Sequence, residues 1–302
     1  MSRRRELEQH RHRLDETREI MSSMKALAFM ETRKLTTFID AQRAVVDHIH
    51  RVAEDFLNFY PDSLHQAPQP KQVYLLLGSE RGFCGNFNEA LPAALHLEQA
   101  KEAATGQQGA SIIAVGNKLC GLLATDPLLV KQSALNPLDG VSVVEDIENT
   151  LIEIVDTLKR LQAQNTGLAL RILYHDPDRQ EIISTQVLPP FESQRQRNPA
   201  FTQPPQLNLA PEKFCRDLID RYLFATLHET LYLSLMAENQ RRVSHLESAV
   251  QQLDDKADEL LRRSNTLRQE EITEEIEIIL LSAANLEPPR KPSSVRQKII
   301  PA

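Results

Sequence analysis

The stretch GSERGFCGNFN, residues 78–88, is the first place to look for chemistry in this chain. It joins an apolar run to a helical pattern, and glycine-rich turns of that kind can cradle phosphate on free backbone N–H groups. The glycines stand at Gly78, Gly82 and Gly85. That spacing matches neither the GxGxxG of dinucleotide folds nor the GxxxxGK[ST] of phosphate loops. Cys84 has Arg81 close in sequence but no neighbouring histidine to act as base, so a thiolate nucleophile is not supported. The loop reads as a tight strand-to-helix connection with Arg81 paired locally and Cys84 buried. His10 with His12, and His48 with His50, are two residues apart and point to different faces of a helix, which is no metal spacing. Glu270, Glu271, Glu274 and Glu275 share a helix face and read as a solvated acidic stripe. No catalytic residue, cofactor site or metal site is assigned.

The elements that must position this loop are marked out by glycine and proline. All nine glycines lie between Gly78 and Gly167, and the first proline is Pro61. Residues 1–60 and 212–287 contain neither. Glycine costs about 1 kcal/mol and proline about 3 kcal/mol inside a helix. Two long helical arms flanking a compact middle are therefore expected, and the length of 302 residues suits about two domains.

In the first arm Leu7, Leu14, Met21, Ala28 and Leu35 recur every seventh residue. Met24 and Phe38 fall on the alternate seam, interrupted by His10, Thr17 and Glu31, and the stripe is expected to continue through Val45, Ile49, Val52 and Phe56. In the second arm Val243, Leu246, Val250, Leu253, Ala257, Leu260, Ser264 and Leu267 alternate at steps of three and four, the period of a left-handed coiled coil. At about 1.5 Å per residue that arm would reach on the order of 110 Å, longer than a core of this size can bury, so its natural partner is the first arm. Residues 1–34 carry nine bases and six acids, and residues 211–287 carry sixteen acids and nine bases. An antiparallel pair is expected, with the apolar seam holding it and the charges setting register.

The middle alternates. QVYLLLGS (72–79), SIIAVGN (111–117), LALRILYH (168–175) and EIISTQVL (181–188) read as strands, the last two paired across the turn DPDRQ. Residues 88–104 (with Asn88 as N-cap), 118–125 and 143–164 read as helices. The expected fold is α/β: a central Rossmann-like domain, with a long antiparallel coiled coil formed by the N- and C-terminal helices. The expected boundaries are 1–60 for the first shaft helix, 70–190 for the α/β domain, 190–211 for a polar, proline-rich linker, 212–287 for the second shaft helix and 288–302 for a basic tail.

The formal charge of −7 argues against a general nucleic-acid binder. The most apolar stretches, VYLLLG and IEIILLSAA, fall far short of the ~20 residues of a membrane span. MSRRRELEQH has no apolar segment and is no secretory signal. Three widely spaced cysteines suit a reducing compartment without disulfides. A cytoplasmic protein is expected, able to sit at a membrane by holding another component.

Three ordered segments carry a resemblance to one family, the gamma subunit of the F-type ATP synthase. TREIMSSMKALAFMETRKL (17–35) looks like its N-terminal shaft helix, with Thr17, Ile20, Met24, Ala28, Arg33 and Lys34 in pattern. SERGFCGNFN (79–88) is similar to its signature [ST]-[DE]-R-G-[LF]-C-G, through Arg81, Gly82, Cys84 and Gly85. RQEEITEEIEIILLSAA (268–284) is similar to its closing motif R-Q-x-x-I-T-x-E. The chain departs from the pattern at Lys25 (usually Glu), Ile278 (usually an acid), Ser282 (usually Gly), in 190–211, and in the extension 286–302. These departures would suit a divergent branch such as the alternate N-type ATPases.

The resemblance implies a non-catalytic rotor shaft that binds no nucleotide or other cofactor. It would couple ion flow across the membrane to ATP synthesis or hydrolysis in a hexamer of alpha and beta subunits. Met24, Lys25, Arg268, Gln269, Thr273 and Ile276 would face the hexamer. The α/β domain would rest on the membrane ring of c subunits and bind epsilon, placing the chain peripherally at the cytoplasmic face of the bacterial inner membrane, with no span of its own. A free-standing coiled-coil scaffold with an α/β sensor domain is the rival reading; it explains the arms but not the three ordered motifs.

Overall fold

The computed structural model of the chain describes residues 2–64, 70–103, 110–126, 134–165, 167–191 and 203–286. Helix α1 runs Ser2–Phe59 and helix α5 runs Pro211–Leu286. Both coincide with the stretches that lack helix breakers. Pro211 opens α5 in the first turn, where a backbone N–H has no intrahelical partner to lose. Between them lie β1 (Lys71–Leu77), α2 (Ala90–Ala103), β2 (Ser111–Val115), α3 (Asn117–Ala124), β3 (Ala134–Leu138), α4 (Ile147–Ala163), β4 (Leu168–His175) and β5 (Ile182–Leu188). Half of the expected linker, at 192–202, and the whole tail at 288–302 lie outside the described residues. Among the described residues no helix is long and apolar enough to cross a membrane.

The chain divides into two compact units, a larger one over 21–248 and a smaller one that joins α1 up to Ile20 with α5 from Ala249. In the larger unit the five strands lie in the order β3-β2-β1-β4-β5. All neighbours are parallel except β5, which pairs antiparallel with β4 as the hairpin turn requires. Side chains alternate across the sheet. Val73, Leu75, Leu77, Ile113, Val115, Leu170 and Ile172 bury against α1, α4 and α5. Tyr74, Leu76, Ile112, Ala114 and Leu173 bury against α2 and α3. Both faces are covered, which is why the central strands are apolar runs rather than alternating patterns.

β3, ALNPL, was not expected. It holds Pro137 and is partly exposed, marks of an edge strand, where proline removes no ladder bond that the sheet needs. Asn88 is not the cap of α2 either. Its side chain turns back to Ser79, accepting from the Ser79 N–H at 2.8 Å and donating to Ser79 Oγ at 2.7 Å.

On α1 the stripe through Ala28 and Leu35 is buried, but it then shifts to Ile39, Val46 and Ala53, while Val45 is exposed. A straight α-helix drifts against a seven-residue repeat, so a stripe held over many turns must step by four. Phe38 is also largely exposed, with its ring stacked on Tyr232 at 5.7 Å between centroids. Ile49, Val52 and Phe56 pack into the core as expected.

The smaller unit is the coiled coil. Val250, Leu253, Ala257, Leu260, Ser264 and Leu267 are covered positions of α5 here, and Leu7 and Leu14 are covered on α1. Arg18 pairs with Asp254, and Arg4 with Glu271 at 3.7 Å. The α1 number falls as the α5 number rises, so the helices run antiparallel, basic against acidic. Lys25–Glu247 at 3.6 Å carries the same order within the larger unit. All three pairs are substantially exposed and worth a few tenths of a kcal/mol each, so they select register while the seam supplies stability.

Candidate functional site

The glycine loop follows β1 and lies against α5. Residues 230–239 of α5 are buried on every side, as a helix must be when it passes through a core. From that stretch Ser234 Oγ donates to the Leu77 carbonyl at 3.4 Å, at the end of β1. About two turns beyond Ser234, Arg242 reaches into the loop. Its Nε donates to the Gly82 carbonyl at 3.2 Å, and a terminal nitrogen to the Arg81 carbonyl at 3.4 Å. The same guanidinium binds Asn239 Oδ1 at 2.8 Å and pairs with the Glu238 carboxylate.

Glu238 and Arg242 are only 3% and 7% exposed, so this is a buried ion pair, and each of the three Arg242 guanidinium nitrogens finds an acceptor. Burial pushes the Glu238 carboxyl up, to about 7, against the pull of Arg242. Such a pair contributes little net stability over apolar packing, but removing one partner is costly.

The inside of the loop is filled by protein. Cys84, Phe87 and Ala237 of α5 form a small apolar cluster. Burial pushes the Cys84 thiol up, which disfavours the thiolate a nucleophile needs, and its Sγ lies 3.4 Å from Ser79 Oγ. Gly85 sits at φ +62°, a conformation that glycine adopts without strain. Glu80 ties the loop to two further elements: its carboxylate accepts from the Asn117 N–H at 3.0 Å, from the Asn117 side chain, and from the Gly140 N–H at 2.8 Å. Burial opposes ionisation of Glu80, and these hydrogen bonds outweigh it, holding the carboxyl below its usual range.

Of the four signature residues, Cys84 is buried as expected. Arg81 is exposed; its charge helps to lower the neighbouring Glu80 carboxyl, and its carbonyl accepts from Arg242 and Cys84. Gly82 likewise acts through its carbonyl, and Gly85 through its φ. The loop is a strut between sheet and helix.

The six residues expected to face partners are divided between the two units. Met24 and Lys25 belong to the larger unit, both half-buried, with Lys25 on Glu247. Arg268, Gln269, Thr273 and Ile276 belong to the smaller unit and are all exposed. Thr273 Oγ1 donates to the Gln269 carbonyl at 2.9 Å, one turn back on the same helix. Beyond them Ile278, Ile279, Leu280 and Leu281 are each about two-thirds exposed, and Ile272 and Ile276 about half. A run of large apolar side chains bare on all faces of a helix end is a surface for a partner.

Sequence reading missed Glu238, Asn239, Arg241, Arg242 and His175. Glu238 and Arg242 are four apart on a helix, the spacing of an ordinary surface pair. The one available signal was that they follow the apolar run LYLSLMA without an intervening polar turn.

A family model described as ATP synthase matches residues 3–286. The ATP synthase gamma chain of Clostridium beijerinckii is 26% identical over 284 residues, 90% of this chain and 94% of that one. The gamma chain of Clostridium botulinum (strain Langeland) is 22% identical over 271 residues, 87% and 91% of the two chains. Among solved structures, a chain of the Euglena gracilis mitochondrial ATP synthase (OSCP/F1/c-ring, rotational state 3) superposes with a TM-score of 0.59 at 16% identity, covering 97% of this chain and 99% of that one. A chain from the rotor of the same synthase, in rotational state 1, gives 0.55 at 15% identity, covering 90% and 99%. With its long terminal helices, parallel-dominated sheet and clamped glycine loop, this chain belongs to the ATP synthase gamma-chain family.

Proposed function

We propose that this chain is the rotor shaft of an ATP synthase, itself non-catalytic, which couples ion flow to ATP synthesis or hydrolysis by rotation. The observation that carries this reading is the bare apolar end of α5, Ile272 to Leu281, on a helix whose preceding seam is covered by its own antiparallel partner. Such an end needs an enclosing protein. Enclosure by a ring of alternating alpha and beta subunits suits it, because apolar contacts are non-directional and vary little as a shaft turns. The helix has no symmetry to match three catalytic sites, so its orientation would hold them in different states. A difference in interaction free energy between states is what coupling requires. Arg268, Gln269, Thr273 and Ile276, exposed just before the apolar end, would meet the beta subunits, with Met24 and Lys25 completing the contact from α1.

The α/β unit would then stand on the c ring and bind epsilon, at the cytoplasmic face of the bacterial membrane. A chain of this fold in the OSCP/F1/c-ring assembly of the Euglena gracilis mitochondrial ATP synthase supports the stand on the c ring. The departures at Lys25, Ile278 and Ser282 favour a divergent branch, of which the N-type ATPases are the example.

The test is to tag the chain, purify it gently from membranes, and measure the native mass and ATPase activity of what accompanies it. A particle with six large partners and ATPase activity is expected. A lone soluble monomer or dimer without ATPase would replace the shaft by the free-standing scaffold.

A further inference from the structure

His175, the last residue of β4, has no part in the contacts proposed above. It is 1% exposed. Its Nε2–H donates to the Phe87 carbonyl at 2.7 Å, and its ring stacks on the Phe87 ring at 4.1 Å between centroids. The Arg241 guanidinium lies over the Phe87 ring at 5.9 Å. Arg241 is itself fixed by Asn86 Oδ1 at 3.0 Å and the Gln180 carbonyl at 3.3 Å. Histidine, loop and long helix are thus joined through one phenyl ring. The other imidazole nitrogen, Nδ1, is buried with no hydrogen-bond partner among the described residues.

We propose that His175 is an acid-operated latch on the glycine loop: neutral, it holds residues 84–88 against the end of β4; protonated, it releases them. The geometry sets the direction. With Nε2–H committed to the Phe87 carbonyl, the neutral ring carries its lone pair on Nδ1, where a missing partner is tolerable. A second proton must go on Nδ1 and creates a buried charged N–H donor with no acceptor among the described residues, a costly state that ring and loop relieve by opening. The charged groups nearby do not offset it. On α5, Arg241 repels an imidazolium, and Glu238 is already paired with Arg242. In the turn after β4, Asp176 accepts from the Asp178 and Arg179 N–H groups, and Asp178 pairs with Arg43. In the loop, Glu80 is held by Asn117 and Gly140, and Arg81 adds a further positive charge. Burial, with Arg241 acting in the same sense and the Phe87 hydrogen bond against it, holds His175 far below its ordinary value, at about 4.

One proton taken up on opening makes the open population rise up to tenfold per pH unit as pH falls from about 6.5 toward 4, and leaves it flat above. The experiment is amide hydrogen exchange of the full-length chain, corrected for intrinsic rate, comparing the peptide over 79–91 with β1 from pH 7.5 to 4. The wild type should lose protection in the loop with that slope, and His175→Gln, which keeps a donor for the Phe87 carbonyl, should be flat. Equal pH dependence in both chains, or none in the wild type, would overturn the latch. Should the variant fail to fold, the imidazole resonances of the wild type decide. Nδ1 protonation must coincide with loop opening; a ring titrating near 6.5 with the loop still protected would refute the proposal.

Discussion

Arg242 Nε donates to the Gly82 carbonyl at 3.2 Å across 160 residues of sequence. This one bond joins the glycine loop to the middle of α5, and it makes the loop a load path between sheet and helix. Arg242→Met should therefore destabilise the chain more than an exposed arginine would, by about 3 kcal/mol, because it leaves Glu238 buried without its partner and the Gly82 carbonyl without its donor. Glu238→Gln, which keeps a polar partner for the guanidinium, should cost less, and the double variant should cost less than the sum. Urea midpoints of the four chains give the coupling directly, and strict additivity would sink the idea of a shared network.

Gly116 and Gly121 lie five residues apart at the start of and within α3, and they should respond oppositely to alanine. Gly116 has φ +106°, and an added Cβ would stand 2.7 Å from the Ser79 carbonyl oxygen. Gly121 is helical with open space around it. Gly116→Ala should lower stability by 2 kcal/mol or more, on the order expected when strain and a backbone clash combine. Gly121→Ala should raise it by up to about 1 kcal/mol. Thermal midpoints of the two variants check both signs.

The pH dependence of stability should contain two opposed parts. His175 is depressed below its unfolded value of 6.5, so its contribution is present above 6.5 and lost as pH falls toward about 4. Glu238 is raised above its unfolded value of 4.5, so its contribution is present below 4.5 and lost as pH rises toward about 7. Each is worth about 3 kcal/mol at most. Between pH 4.5 and 6.5 they oppose each other. Relative to wild type, Glu238→Gln should gain stability with rising pH, and His175→Phe should lose it. Denaturant midpoints of the three chains at pH 4.5, 5.5, 6.5 and 7.5 test both trends; parallel curves would exclude both groups.

What the sequence made legible was periodic or punctuated. The arms are visible because glycine and proline are absent, and the seam on α5 is visible because Leu246, Leu253, Leu260 and Leu267 keep a strict period. Four strands are visible because burial on both sheet faces leaves unbroken apolar runs. What it hid was nonlocal. β3 is an edge strand specified by β2 rather than by its own residues, and Pro137 argues against it in isolation. Val45 rather than Val46 looks like the core position until helical drift is followed through Ile39. Asn88 has the type and place of a helix cap, and only the fold brings Ser79 within its reach. The clamp of Arg242, Glu238 and His175 on the loop joins segments that no local pattern relates.

Leu246 and Leu253 occupy the same seam one heptad apart, but Leu246 is fully buried in the larger unit and Leu253 half-buried in the smaller. Leu246→Ala should cost about 3 kcal/mol and Leu253→Ala visibly less, since the loss grows with the contacts and the cavity left behind. Leu253→Asp should still disrupt the coil, because it places an unpaired charge on the seam between two chains of apolar contacts. Helical melting curves followed by circular dichroism order the three variants. An unchanged curve for Leu253→Asp would mean that this part of α5 is held by something other than its seam.

Arg268 and Gln269 are exposed, and among the described residues neither side chain makes a hydrogen bond or ion pair. Thr273 leans on the Gln269 backbone carbonyl, not on its side chain, so replacing the two side chains leaves that bond intact. Arg268→Ala with Gln269→Ala should thus leave the melting curve of the isolated chain within about 0.5 kcal/mol of wild type. If these residues meet the beta subunits, the same double variant should lower the yield of the assembled particle or its coupled ATPase rate. The pairing of an unchanged fold with a weakened assembly is the signature of an interface. Wild-type yield and rate would remove both residues from it, and a destabilised isolated chain would show that they act within the coil instead.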